Sequence, residues 1–174
     1  GGQCIAPKTR TTLILDRCTQ FYKNTVKNIM GLFDFFKKEP EKTFQTKLGI
    51  FKLNKTKSST KIWTNNLNPI FYSARGNELT PDTNSINFLE NINSELEILN
   101  EKFTNKFLSL FKEADLEIDF KNWTEKYKII AINVISAENE NRIWELTFQE
   151  LESPFYHFTT TIENKNLSDF AIDS

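Results

Sequence analysis

The chain holds a single histidine, His157, and two cysteines, Cys4 and Cys18. Those counts decide most of the chemistry open to it. Any Ser-His-Asp or Cys-His arrangement must use His157, and no nucleophile signature accompanies it. It lies in Phe155-Tyr156-His157-Phe158. Strand alternation puts it on the face opposite Tyr156 and Phe158, so the expectation is an exposed or half-buried strand residue. The spacing of Cys4 and Cys18 matches no metal motif, and they read as free thiols, with a disulfide as the other reading.

Carboxylates are the remaining candidates. Asp115, Glu117 and Asp119 alternate, which on an extended segment puts all three on one side. Oxygen ligands of that kind suit a hard cation such as Mg²⁺ or Ca²⁺, but the EF-hand pattern and its glycine are absent. No metal site is assigned, and these three are secondary candidates beside a plain solvated loop. Glu138, Glu140, Glu150 and Glu152 fall in turns, where a charge can meet a partner. Arg75, before Gly76, ends an apolar strand, and a strand-end Arg can clamp a carboxylate or phosphate. The chain has no Walker pattern, GxGxxG, HExxH or GxSxG, and no cofactor is expected.

Hydrophobic spacing names the elements that must position these residues. Ile29, Leu32, Phe33 and Phe36 form a short amphipathic helix that Pro40 ends. Residues 43–54 read as a strand with Phe44, Leu48 and Ile50 on one face and a bulge at Gly49. Strands follow at Lys61–Thr64 and Ile70–Ala74, separated by the turn formers Asn65-Asn66-Leu67-Asn68-Pro69. Leu89, Ile92, Leu96, Leu99, Phe103, Phe107 and Leu110 then make one apolar stripe, predicting a single helix from about residue 84 to about 112. Any of Asp82, Thr83, Asn84 and Ser85 suits its N-terminal cap. Tyr127 to Ala137 is apolar on both faces, a central strand. Trp144, Leu146 and Phe148 alternate with polar residues. So do Tyr156, Phe158, Thr160 and Ile162, and Phe170 and Ile172 close the chain on a short strand. The expected fold is α+β: a mostly antiparallel sheet of about six to seven strands, one long amphipathic helix on one face, and the short N-terminal helix.

Charge divides the chain. Residues 1–29 carry a net +4, residues 30–77 a net +6 and residues 78–174 a net −11, against −1 overall. Met30 is the only methionine. Residues 1–29 therefore read as a leader or appended segment, helical or disordered, and residues 30–174 as a single α+β domain. Sixteen Phe among 174 residues point to a large aromatic core. No apolar run approaches the ~20 residues of a membrane span. The Lys run from Lys47 to Lys61 lacks the arginines and paired aromatics of a nucleic-acid platform, so no nucleic acid is expected.

The stretch Met30-Gly31-Leu32-Phe33-Asp34-Phe35-Phe36-Lys37-Lys38 resembles the opening of many small bacterial α+β proteins, some of which look like immunity proteins that neutralise a neighbouring toxin. The resemblance extends loosely through Trp144–Phe148 and Phe155–Phe158 to Asp173. It carries no catalytic motif and transfers no site residue. It implies a cytoplasmic, non-enzymatic inhibitor. With the acidic C-terminal half, the expectation becomes a protein-binding domain for a basic partner, a toxin among them, with Glu138, Glu140, Glu150, Glu152 and Arg75 as binding residues. The competing expectation is a ligand-binding domain or enzyme that uses the carboxylates and Arg75 with a divalent cation. Oligomeric state is left open.

Overall fold

Turn chemistry sets the first half of the sheet. In the computed structural model, which describes residues 40–54, 58–67, 69–138 and 142–173, the segment expected as one strand folds into a hairpin. Strand β1 (Thr43–Thr46) turns through Lys47 and Leu48 into β2 (Gly49–Asn54). Thr46 Oγ1 makes the turn: it accepts the Leu48 N–H at 3.1 Å and donates to the Gly49 carbonyl at 2.9 Å. Gly49 takes φ 99°, a conformation that side chains resist, so it marks a turn rather than a bulge. Strand β3 (Lys61–Leu67) runs through the asparagines expected as a turn, and β4 (Ile70–Gly76) returns beside it. Asn65 stays in the strand because its Nδ2 donates to the Leu48 carbonyl at 2.7 Å. Gly76 is required by close approach: a Cβ there would lie 2.5 Å from the Thr80 carbonyl oxygen.

The apolar stripe is real but spans two helices. Helix α1 (Thr83–Glu90) is capped by Asp82, whose carboxylate accepts the Ser85 N–H at 2.7 Å. Helix α2 (Ile92–Glu113) follows after a break at Asn91, φ −113° and ψ 16°. The Asn91 side chain donates to the Asn87 carbonyl at 2.8 Å, the local competition that lets asparagine interrupt a helix. A single 3₁₀ turn, Trp123–Glu125, leads into β5 (Tyr127–Ser136). Strands β6 (Ile143–Glu150), β7 (His157–Glu163), β8 (Asn166–Leu167) and β9 (Ala171–Asp173) complete the sheet.

Among the described residues the sheet therefore has nine strands rather than six or seven. Its order is β1-β2-β3-β4-β5-β6-β7, with β8 and β9 both on β7. All pairs are antiparallel except β4–β5, because the two helices carry the chain between them. The expected short helix around Ile29–Phe36 lies outside the described residues, as do Cys4 and Cys18.

Both helices press the stripe onto one face of the sheet. Leu89, Leu99, Phe103 and Phe107 are completely buried, whereas Leu96 and Leu110 are half-buried at the margin. Phe107 stacks on Tyr127 with centroids 4.0 Å apart and on Phe170 at 4.4 Å, and meets Phe148 edge-on at 5.3 Å. Such pairs add about 0.5–1.5 kcal/mol each beyond their buried area. The excess of phenylalanine is spent here, in an aromatic core between α2 and strands β5 to β7. The opposite face is mixed, with Phe71 40% exposed beside a chain of polar side chains. Ser73 Oγ donates to Asn133 Oδ1 at 2.6 Å, and Asn133 Nδ2 donates to Glu145 at 2.7 Å. No helix among the described residues is long and apolar enough to cross a membrane.

Candidate functional site

The turn between β6 and β7 exposes what a fold normally hides. The Tyr156 N–H donates to the Ser153 carbonyl at 3.3 Å in a turn, and β7 starts only at His157, so Tyr156 is not the inward strand residue that alternation predicts. Phe155 is 78% exposed, Leu151 49% and Tyr156 47%. Three large side chains are thus exposed within one six-residue turn, a concentration that points to an interaction surface.

The turn is held in place. The Leu151 N–H donates to the Lys126 carbonyl at 2.8 Å, tying its start to the 3₁₀ turn. Gln149 Nε2 donates to the Pro154 carbonyl at 2.9 Å. The same nitrogen lies 3.2 Å from His157 Nε2, and this pairing on the sheet face away from the helices is the environment of the one histidine. His157 is half-buried, as alternation predicts.

Carboxylates lie beside Leu151. Glu150 and Glu152 line a recess of about 80 Å³ with Glu125, Lys126 and Leu151. Glu125 is fixed by accepting the backbone N–H groups of Lys121 and Asn122 at 3.2 and 3.1 Å. Behind the recess stands Tyr127, whose buried hydroxyl has no hydrogen-bond partner. Burial, and secondarily the negative charge of Glu150, raise its pKa well above the ordinary phenol value. The loop from α2 to the 3₁₀ turn brings Asp115, Glu117 and Asp119 to this same end of the sheet. All three are exposed. They do not alternate along an extended strand, because Asp115 sits in the left-handed region at φ 55°, in the turn that ends α2. Among the described residues, no three His, Cys, Asp or Glu side chains are grouped to hold a metal ion.

The expected set of turn carboxylates is thus divided. Glu150 lies opposite Tyr127, the first residue of β5, whereas Glu138 follows its far end. Ten residues of strand, roughly 33 Å, separate them. Glu140 lies outside the described residues. Arg75 is exposed near the C-terminal end of β4, at Glu138's end of the sheet.

The two halves of the chain also differ in how their charges are matched. Lys47 pairs with Glu90 at 3.3 Å and Lys52 with Glu41 at 3.0 Å, while Lys42 and Lys61 share Glu78 at 3.9 and 3.6 Å. Asp115, Glu117, Asp119, Glu150 and Glu152 make no ion pair with a described residue. Leu151, Phe155 and Tyr156 are not among the binding residues expected from the sequence. Pro154, which interrupts the alternation between Phe148 and Tyr156, is the sequence signal for this turn.

No protein-family model, curated protein or solved structure matches the chain.

Proposed function

We propose that this chain is a non-enzymatic protein-binding domain that docks a basic partner on the β6–β7 turn. The observation that carries this reading is the joint exposure of Leu151, Phe155 and Tyr156 in one turn, beside Glu150 and Glu152, which make no ion pair with a described residue. Buried aromatic anchors supply most binding energy at protein interfaces, and rim charges steer approach. The hydrogen bonds that fix the turn lower the ordering cost of binding. The resemblance of residues 30–38 to immunity-type proteins makes a basic toxin the kind of partner this reading implies, and the cytoplasm the place of its action.

A pull-down from the source cell with three immobilised baits tests it: wild type, the Glu150→Lys/Glu152→Lys double variant, and Phe155→Ala. Glu152 and Phe155 are exposed and Glu150 is half-buried at the end of β6, so circular dichroism should report one fold for all three baits. The wild type should retain a basic protein that both variants lose. Recovery of the same proteins by all three baits overturns the reading.

A further inference from the structure

The geometry points to a second site, for a small neutral polyhydroxylated molecule of monosaccharide size, where α1, α2 and the β5–β6 end of the sheet meet. A cavity of about 250 Å³ opens there, lined on the sheet side by Ala137, just after β5, and Arg142, just before β6. Its volume lies below the ~300–1,000 Å³ of drug-sized pockets, so its occupant is small.

The wall is built from carboxamides. Asn84, Asn87 and Asn91 line the cavity at spacings of three and four, one side of a helix. The side chains of Asn84 and Asn87 are exposed and hydrogen-bond no described residue. Asn91 spends its Nδ2 on the Asn87 carbonyl and leaves its oxygen open. Each free carboxamide offers two donors and an acceptor, a mixture that matches hydroxyl groups, which also donate and accept.

The floor is a matched ion pair. Arg142 Nη1 donates to Glu95 Oε1 at 2.7 Å, and the guanidinium carbon lies 4.8 Å from the Phe88 ring centroid. The Arg142 backbone is fixed in turn: its N–H donates to Asn164 Oδ1 at 3.1 Å and its carbonyl accepts the Asn164 N–H at 3.0 Å. Glu95 balances the charge of Arg142, so the lining carries no net charge, and the guanidinium nitrogen left without a partner, Nε, is buried. A phosphate or carboxylate would have to compete with Glu95 for the guanidinium, whereas a neutral polyol would not. The cavity stands apart from the β6–β7 turn, at the opposite end of β5, and its occupancy does not depend on the proposed partner.

An NMR titration of the ¹⁵N-labelled full chain tests this site. Glucose, galactose, mannose and N-acetylglucosamine are added separately to about 100 mM, a hundredfold over a millimolar dissociation constant. Inorganic phosphate and acetate form the anion arms. At least one sugar should give saturable shifts at the Asn84 and Asn87 side-chain amides. The Asn84→Ala/Asn87→Ala variant should bind it about tenfold or more weakly, since each lost hydrogen bond weakens binding roughly two- to tenfold. Both positions are solvent-facing, so the melting temperature should hold. Three results overturn the inference: no saturable shift from any of the four sugars, tighter binding of phosphate or acetate, or unchanged affinity in the variant.

Discussion

Tyr127 carries a cost that can be measured. Its side chain is 2% exposed, and its hydroxyl has no hydrogen-bond partner. A buried unsatisfied hydroxyl costs about 1–3 kcal/mol, so Tyr127→Phe should be neutral or stabilising by up to that amount in a urea titration. The pH dependence has a definite sign. The folded phenol has its pKa raised, chiefly by burial. Below about pH 10 both the folded and unfolded phenols are protonated, and the group adds no pH dependence. Above pH 10 the unfolded chain ionises first, and stability falls by up to about 1.4 kcal/mol per pH unit for this group. The advantage of Tyr127→Phe over wild type should therefore widen above pH 10. A gap that stays constant from pH 8 to 11 would show that the phenol titrates alike in both states. Glu90 gives the opposite case at acid pH. Its carboxylate accepts the Lys47 backbone N–H at 3.0 Å, the main cause that lowers its pKa. Its contribution is present above the unfolded carboxyl pKa of about 4.5 and is lost as pH falls through the lower folded value. Glu90→Gln should therefore lose less stability than wild type between pH 5 and 3, read by thermal melts.

Helix α2 shows how far an element could be read from spacing alone. The apolar stripe named its buried face, and Leu99, Phe103 and Phe107 are completely buried. The break at Asn91 was not legible, because the stripe continues through it, from Leu89 to Ile92, without losing phase. What separates two helices from one is local to Asn91: its side chain bonds the Asn87 carbonyl, and its own carbonyl accepts the Ser94 hydroxyl. The β1–β2 hairpin was hidden for a similar reason: Lys47 and Leu48 are not turn formers, and the turn depends on Thr46 and on the φ of Gly49. Leu99→Ala, at the centre of the stripe, should cost about 2–5 kcal/mol. Glu97→Ala, on the exposed side, should change stability by less than about 0.5 kcal/mol. Chemical denaturation of the two variants measures both, and equal costs would place the buried face of α2 elsewhere. Leu96→Ala should fall between them, because that side chain is only half-buried.

Charge is organised over the whole molecule, and that organisation was only half visible in the sequence. The net +6 of residues 30–77 and the net −11 of residues 78–174 were countable. Which charges are spent inside the fold was not. The ion pairs from Lys42, Lys47, Lys52 and Lys61 join residues up to 43 positions apart, which no local pattern records. Glu150 and Glu152 were named as binding candidates for lying in a turn, but the neighbouring Leu151 and Phe155 owe their exposure to how β6 and β7 are joined. The same global view bears on the first 29 residues. The sheet is continuous from β1 to β9, within residues 43–173. Residues 1–29 differ from the rest in charge, at net +4 against −5. A chain that begins at Met30 should therefore melt in one cooperative transition within about 4 °C of the full chain, the shift that roughly 1 kcal/mol produces at this size. Differential scanning calorimetry of the two chains decides the point. A drop of more than about 10 °C, or loss of the single transition, would mean that the first 29 residues supply several kcal/mol and belong to the folding unit.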